Sequence, residues 1–123
     1  MRILYISNST KTSGAPAVLL NLIQGLCDRH EIAVILPDTE GPLYHKLTEL
    51  GVKCYVDMLY SLTVWPRVIN PLKMVRRLGN LVCGLSSVRR YVGEVIDDFR
   101  PDIVHLNVGP LDISMDECIA RGI

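Results

Sequence analysis

The residues best suited to hold a ligand lie in two short segments. Asn8-Ser-Thr-Lys-Thr-Ser-Gly-Ala15 follows an apolar run and precedes a helical pattern opened by Pro16. Ser9, Thr10, Thr12 and Ser13 offer hydroxyls, and Gly14 lets the backbone come close to a bound molecule. A helix starting there adds free N–H groups and a partial positive charge, which suits a phosphate or a sugar. The second segment, residues 105–110, brings His105, Asn107 and Gly109. Asn107 stands closer to the end of its strand than His105 and is the better placed for a ligand contact. A hydrogen-bonded histidine at a sheet rim is the structural alternative for His105. The loop is neither G-x-G-x-x-G nor G-x-x-x-x-G-K-[ST], so it is also compatible with an ordinary capped helix start. No Ser-His-Asp set, Cys-His set or carboxylate pair can be assembled. His30 and His45 read as superficial, and Asp112, Asp116 and Glu117 as solvated acids on a last helix. Cys27, Cys54, Cys83 and Cys118 stand far apart with no C-x-x-C pair, which predicts free buried thiols and no metal site.

These segments need a scaffold, and the hydrophobic pattern supplies one. Apolar runs at residues 2–7, 31–36, 52–56 and 102–107 read as strands, the first of the kind buried on both sides. Ala17, Leu19, Leu20, Leu22, Ile23 and Leu26 recur at helical spacing, which predicts a helix from residue 16 to about 29. A short helix is expected over 42–50, stopped by Gly51, and a last one over 111–121, stopped by Gly122. Strands alternating with helices imply a parallel sheet with right-handed crossovers. An open sheet of order 3-2-1-4 brings the two polar segments to its switch point, where such sheets bind ligands. At the switch point, the ligand-binding reading of the loop outweighs the structural one.

Composition narrows the class. Of 123 residues 49% are hydrophobic and 21% charged, so the chain folds rather than stays disordered, as one domain over 1–123. Thirteen basic and thirteen acidic side chains cancel, which argues against a nucleic-acid partner. No membrane span or leader is legible, which predicts a cytoplasmic protein. Charge is nonetheless segregated. Between Met58 and Gly93 there is no acid, while Arg67, Lys73, Arg76, Arg77, Arg89 and Arg90 give +6. Leu72, Val75 and Leu78 share a helical face with Lys73, Arg76 and Arg77 turned away, and Trp65 lies upstream. Two readings follow: a peripheral membrane contact through Trp65, Lys73, Arg76 and Arg77, or a crossover helix that packs on the sheet behind a solvated outer face. Ordinary surface helices show the same pattern, which favours the second.

Arg2-Ile-Leu-Tyr-Ile-Ser-Asn8, the loop ending Ser13-Gly-Ala15, and His30-Glu-Ile-Ala-Val-Ile-Leu-Pro37 resemble a family-4 glycosyltransferase. So do Gly41-Pro-Leu43, Leu47-x-x-Leu50-Gly-Val52 and above all Arg100-Pro-Asp-Ile-Val-His-Leu-Asn107. The resemblance spans essentially the whole chain and corresponds to the N-terminal, acceptor-side, Rossmann-like half of a GT-B enzyme. It implies retaining transfer of a sugar from a nucleotide-sugar donor to a glycan or lipid-linked acceptor, as in cell-envelope polysaccharide synthesis. Nucleotide-sugar is then a co-substrate, and neither a metal nor another cofactor is implied. The donor would be held chiefly by a C-terminal domain with a Glu-x7-Glu motif, absent from these residues, so this chain alone is expected to be inactive. Gly122-Ile123 after a helix reads as the approach to a fifth strand, hence as a fragment. By this resemblance Ser9, Thr12, Ser13 and Gly14 contact diphosphate and acceptor, and His105 and Asn107 line the other side of the cleft. The family's Gly-Gly pair stands here as Ser13-Gly14. Asn107 stands where many relatives have histidine, so no catalytic residue is carried over. A flavodoxin-like or other phosphate-ligand module is the alternative, with Tyr60 and Trp65 the only candidates to stack on a flavin.

Overall fold

The computed structural model describes residues 1–56, 71–107 and 113–123. The elements run β1 (Arg2–Ile6), α1 (Ala15–Leu26), β2 (Glu31–Leu36), α2 (Pro42–Glu49), β3 (Lys53–Val56), α3 (Pro71–Phe99), β4 (Ile103–Leu106) and α4 (Ile113–Ala120). Among the described residues the strands form one all-parallel sheet of order β3-β2-β1-β4. This is the Rossmann-like α/β architecture that the strand and helix pattern predicts.

Strand alternation divides the apolar residues between two layers. Leu4, Ile6, Ala33 and Ile35 turn to one face, where Val88, Val92, Val95, Ile96 and Phe99 of α3 and Cys118 of α4 cover them. Ile3, Tyr5, Ile32, Val34 and Leu36 turn to the other, against Leu19, Leu20 and Ile23 of α1 and Leu43 and Leu47 of α2. Both central strands are thus apolar on both sides, which is why they read as unbroken hydrophobic runs.

The stops are where the residue types place them. Gly51 (φ 73°) ends α2, and Val52 N–H then donates to the Leu47 carbonyl at 3.0 Å. Gly122 (φ 72°) follows α4 in the same manner. Arg100 closes α3 with φ 50°, a left-handed conformation that costs a non-glycine residue about 1 kcal/mol. Pro101 follows and forbids the helix to continue.

Three side-chain groups fasten the layers. The Arg2 guanidinium bonds Glu31 and lies 4.8 Å over the Phe99 ring, while its backbone N–H donates to Asp102 at 2.7 Å. At the free edge of β3, Lys53 (2.7 Å) and the Tyr55 hydroxyl (2.5 Å) both donate to the Asp98 carboxylate of α3. Arg121 reaches from the end of α4 to Asp97 and Glu117. Glu117 is therefore half-buried and paired, not solvated as its place on the helix suggested. Asp112 lies outside the described residues, as does the side chain of Asp116.

The cysteine expectation holds for bonding and only partly for burial. Cys27, Cys54 and Cys118 are free, but of these only Cys118 is fully buried. Burial pushes the Cys54 thiol up to about 11 and raises that of Cys118. Neither environment activates a thiolate. The side chain of Cys83 lies outside the described residues.

Candidate functional site

Parallel register fixes the site. Tyr5 pairs with His105 and Ile6 with Leu106, so the loop leaving β1 and the residues leaving β4 emerge at the same, carboxyl end of the sheet. Asn107 N–H donates to the Ile6 carbonyl at 2.9 Å, extending the ladder one step beyond β4. By alternation Ile103, His105 and Asn107 face the α1 side, together with Ile3, Tyr5 and Ser7.

The β1–α1 loop is held by its own polar groups. Ser7, fully buried, donates its hydroxyl to the Ser9 carbonyl at 3.1 Å, and the Ser9 hydroxyl accepts from Lys11 N–H at 3.3 Å. Thr10 is not a ligand hydroxyl as its type suggested. It is 6% exposed and donates to Asp38 Oδ1 at 2.9 Å. The same oxygen accepts from the backbone N–H groups of Glu40 (3.0 Å) and Gly41 (3.2 Å). The Thr10 carbonyl in turn accepts from Leu43 N–H at 2.9 Å. The loop is therefore clamped to the start of α2, and the clamp demands glycine at 41. A Cβ there would fall inside the van der Waals envelope of Thr10's side chain and carbonyl. Asp38 was not singled out from sequence. Its signal is the Asp-x-x-Gly-Pro spacing of an Asx turn before a helix.

Beyond Thr10 the loop opens outward. Thr12 is half-buried, and Ser13 and Gly14 are exposed. Gly14 adopts φ 67°, ψ −136°, a backbone region reserved almost entirely for glycine. Its carbonyl accepts from Ala17 N–H and Val18 N–H, but no side chain caps α1. The helix start is thus reached by small residues on a glycine bend, with its partial positive charge uncovered.

On β4, His105 is exposed, its ring tilted 5.2 Å from that of Tyr5. A tilted ring contact, with no hydrogen bond among the described residues, is what the structure gives it. Tyr5 is almost fully buried, and burial raises its hydroxyl pKa. Asn107 is half-buried, and its Nδ2 is shut from solvent without a hydrogen-bond partner among the described residues. A buried amide donor left unpaired costs about 1–3 kcal/mol, so an acceptor placed against it gains accordingly.

Ser9, Thr12, Ser13, Gly14, His105 and Asn107 therefore share one end of the sheet, as expected at a switch point. What the arrangement offers is hydrogen bonding and a helix dipole. The one carboxylate in the loop cluster, Asp38, is engaged by three donors. Among the described residues no group of His, Cys, Asp or Glu could hold a metal ion. Gly109 lies outside the described residues. His45 is exposed as expected, its ring edge-on to Tyr44, while His30 is half-buried with Nδ1 unpaired.

The crossover helix packs on the sheet, as its favoured reading has it, but through Val88, Val92, Val95, Ile96 and Phe99 and not through the face of Leu72 and Val75. Leu72 and Val75 are exposed, so they do not pack on the sheet. Trp65, Tyr60 and Arg67, and the side chains of Lys73, Arg76, Arg77 and Leu78, lie outside the described residues. No described helix is long and apolar enough to cross a membrane. No family model matches the chain, and neither a curated protein nor a solved structure matches it.

Proposed function

We propose that this chain is the acceptor-side half of a retaining glycosyltransferase, which binds a glycan or lipid-linked sugar acceptor while a second domain holds a nucleotide-sugar. The observation that carries the reading is Asn107 Nδ2, unpartnered among the described residues, at the end of β4, beside the strand whose loop leads to the uncapped start of α1. An inward amide donor suits a sugar hydroxyl or ring oxygen, which accepts hydrogen bonds. An uncapped helix start suits the oxygens of a diphosphate leaving group. The sequence resemblance supplies the transfer chemistry, and the site supports the binding half of it. Asn107 orients and does not exchange protons near neutrality, so a base, where one is needed, comes from elsewhere.

Amide chemical shifts of the labelled chain, titrated with oligosaccharides and lipid-linked sugars, test the binding half. Shifts confined to residues 7–14 and 105–107, and lost in Asn107→Ala, are the expected result. Saturable binding of flavin mononucleotide in place of sugars would move the function to a flavin module. The transfer half is tested in the coding sequence past the codon for Ile123, where a second Rossmann-like half with Glu-x7-Glu is expected.

A further inference from the structure

We propose that the Tyr5 hydroxyl is a ligand-binding group of this site, bonded to a hydroxyl of the acceptor sugar while the sugar ring lies on His105. The inference rests on the sugar-acceptor reading and adds the side chain that tells one acceptor from another.

Strand β1 is otherwise aliphatic at its centre. Ile3, Leu4 and Ile6 are buried, and Tyr5 stands among them 3% exposed. A phenylalanine would fill the same space. What tyrosine adds is a hydroxyl, which has no hydrogen-bond partner among the described residues. Burial raises its pKa, so the group stays a neutral phenol that can both donate and accept. A polar atom held in a core without a partner lowers stability, so packing gives no reason for its presence. Nor is it sealed in. Tyr5 Oη is not among the unpartnered side-chain atoms shut off from solvent, so it opens on the surface.

That opening lies beside β4. The Tyr5 ring leans on its register partner His105, with centroids 5.2 Å apart and planes at 51°. No β4 residue joins the core on this side among the described residues, and both Ile103 and His105 are exposed. The α1-facing side of the β1–β4 pair therefore changes character along its length. Ile3 and Ile103 form an apolar foot, Tyr5 and His105 a pair of rings, and Ser7 and Asn107 a polar top. A sugar has the same two characters, with C–H groups on its ring faces and hydroxyls around its rim. An exposed imidazole face receives the first, and a phenol beside it reaches the second. A bare phosphate would use the loop and the helix start, and would leave Tyr5 unpaired.

Methyl glycosides of glucose, galactose, mannose and N-acetylglucosamine, each with its monodeoxy analogues, test the inference on labelled wild-type chain and on Tyr5→Phe. The substitution removes one oxygen and keeps the ring against His105. Tyr5→Phe should melt at or above the wild-type temperature yet bind the glycoside about tenfold more weakly. One monodeoxy analogue should lose a similar factor on wild type and nothing further on Tyr5→Phe, the mark of a direct bond between the two hydroxyls. His105→Ala should weaken binding of every glycoside, and His105→Phe, which keeps a ring, should restore it. A lower melting temperature for Tyr5→Phe gives the hydroxyl a role in the core and overturns the inference. Equal affinity of wild type and Tyr5→Phe for a glycoside that shifts residues 7–14 also overturns it, and leaves the acceptor reading standing. Failure of every glycoside to bind overturns it too, and the oligosaccharide titration then decides the acceptor reading alone.

Discussion

Thr10 and Gly41 form a contact with no slack: the residue at 41 must lack a side chain because Thr10 occupies the space one would need. Gly41 has an ordinary extended backbone (φ −82°, ψ 154°), so the requirement is steric and not conformational. Gly41→Ala should destabilise by about 1–3 kcal/mol, as overpacking does, and loosen the β1–α1 loop. Thr10→Val keeps the shape and removes the bond to Asp38, for about 1 kcal/mol. Urea midpoints for the two variants separate the effects. A second residue-scale prediction concerns acid. Hydrogen bonds from Lys53 and then Tyr55 hold the Asp98 carboxyl below the usual carboxylate range. A group whose pKa is depressed by folding stabilises fully above its unfolded pKa, and the stabilisation disappears as pH falls below about 4. Asp98→Asn should therefore be less stable than wild type near neutrality, and the difference should close in acid; a gap constant with pH would refute this. Residue types announced the polar loop, because Ser, Thr and Gly after an apolar run have few other uses. They did not reveal which hydroxyl faces outward. That depended on Asp38, twenty-eight residues from Thr10 in sequence and 2.9 Å away in space.

At the scale of elements, strands and short helices were legible because each is a local pattern with a local stop. Glu31–Leu36 is an apolar run ended by Pro37, and Pro42–Glu49 ends at Gly51. The long α3 was harder. Its later residues cover the sheet, and spacing alone does not say which side does so. Leu72 and Val75 read as an inward face and stand outside, because helical spacing turns Leu72 about 200° from Val92 on the packed face. Two consequences can be measured. Phe99, 2% exposed under Arg2, belongs to the packed half, and Phe99→Ala should cost about 3–5 kcal/mol. Leu72→Ser on the exposed side should stay within about 0.5 kcal/mol of wild type. The end of α3 gives a prediction of opposite sign. Arg100 holds φ 50° against its preference, so Arg100→Gly should be neutral or stabilise by up to about 1 kcal/mol, relief of strain partly offset by the entropy of an unfolded glycine. Thermal melts of these three variants should order as Phe99→Ala far below wild type, Leu72→Ser level with it, and Arg100→Gly level or above.

The whole molecule couples a firm half-site to a looser one. In the order β3-β2-β1-β4, β1 and β2 have neighbours on both sides, whereas β4 is an edge among the described residues. On the α1 side β4 also lacks cover among the described residues: Ile103 is 45% exposed, although its register partner Ile3 is buried. The loop carrying Ser9, Thr12, Ser13 and Gly14 thus springs from the firmest strand and is clamped through Thr10, while His105 and Asn107 ride on the least supported one. Sheet order was legible from the sequence, because a chain alternating strand and helix with one long crossover has few right-handed arrangements. Unequal support was not, since Ile103 and Ile3 are the same residue type and differ only in what lies above them. Hydrogen exchange should display the difference. Amides of β1 should open only with global unfolding, whereas β4 amides and that of Asn107, bonded to Ile6, should exchange through local opening. A ligand held by Asn107 must stabilise the edge more than the centre. An acceptor at about a hundred times its dissociation constant should slow β4 exchange by up to about 2.7 kcal/mol in local opening free energy. Protection that rises equally in β1 and β4 would mean that the ligand stabilises the domain from outside the switch point, and Asn107 would lose its place in the site.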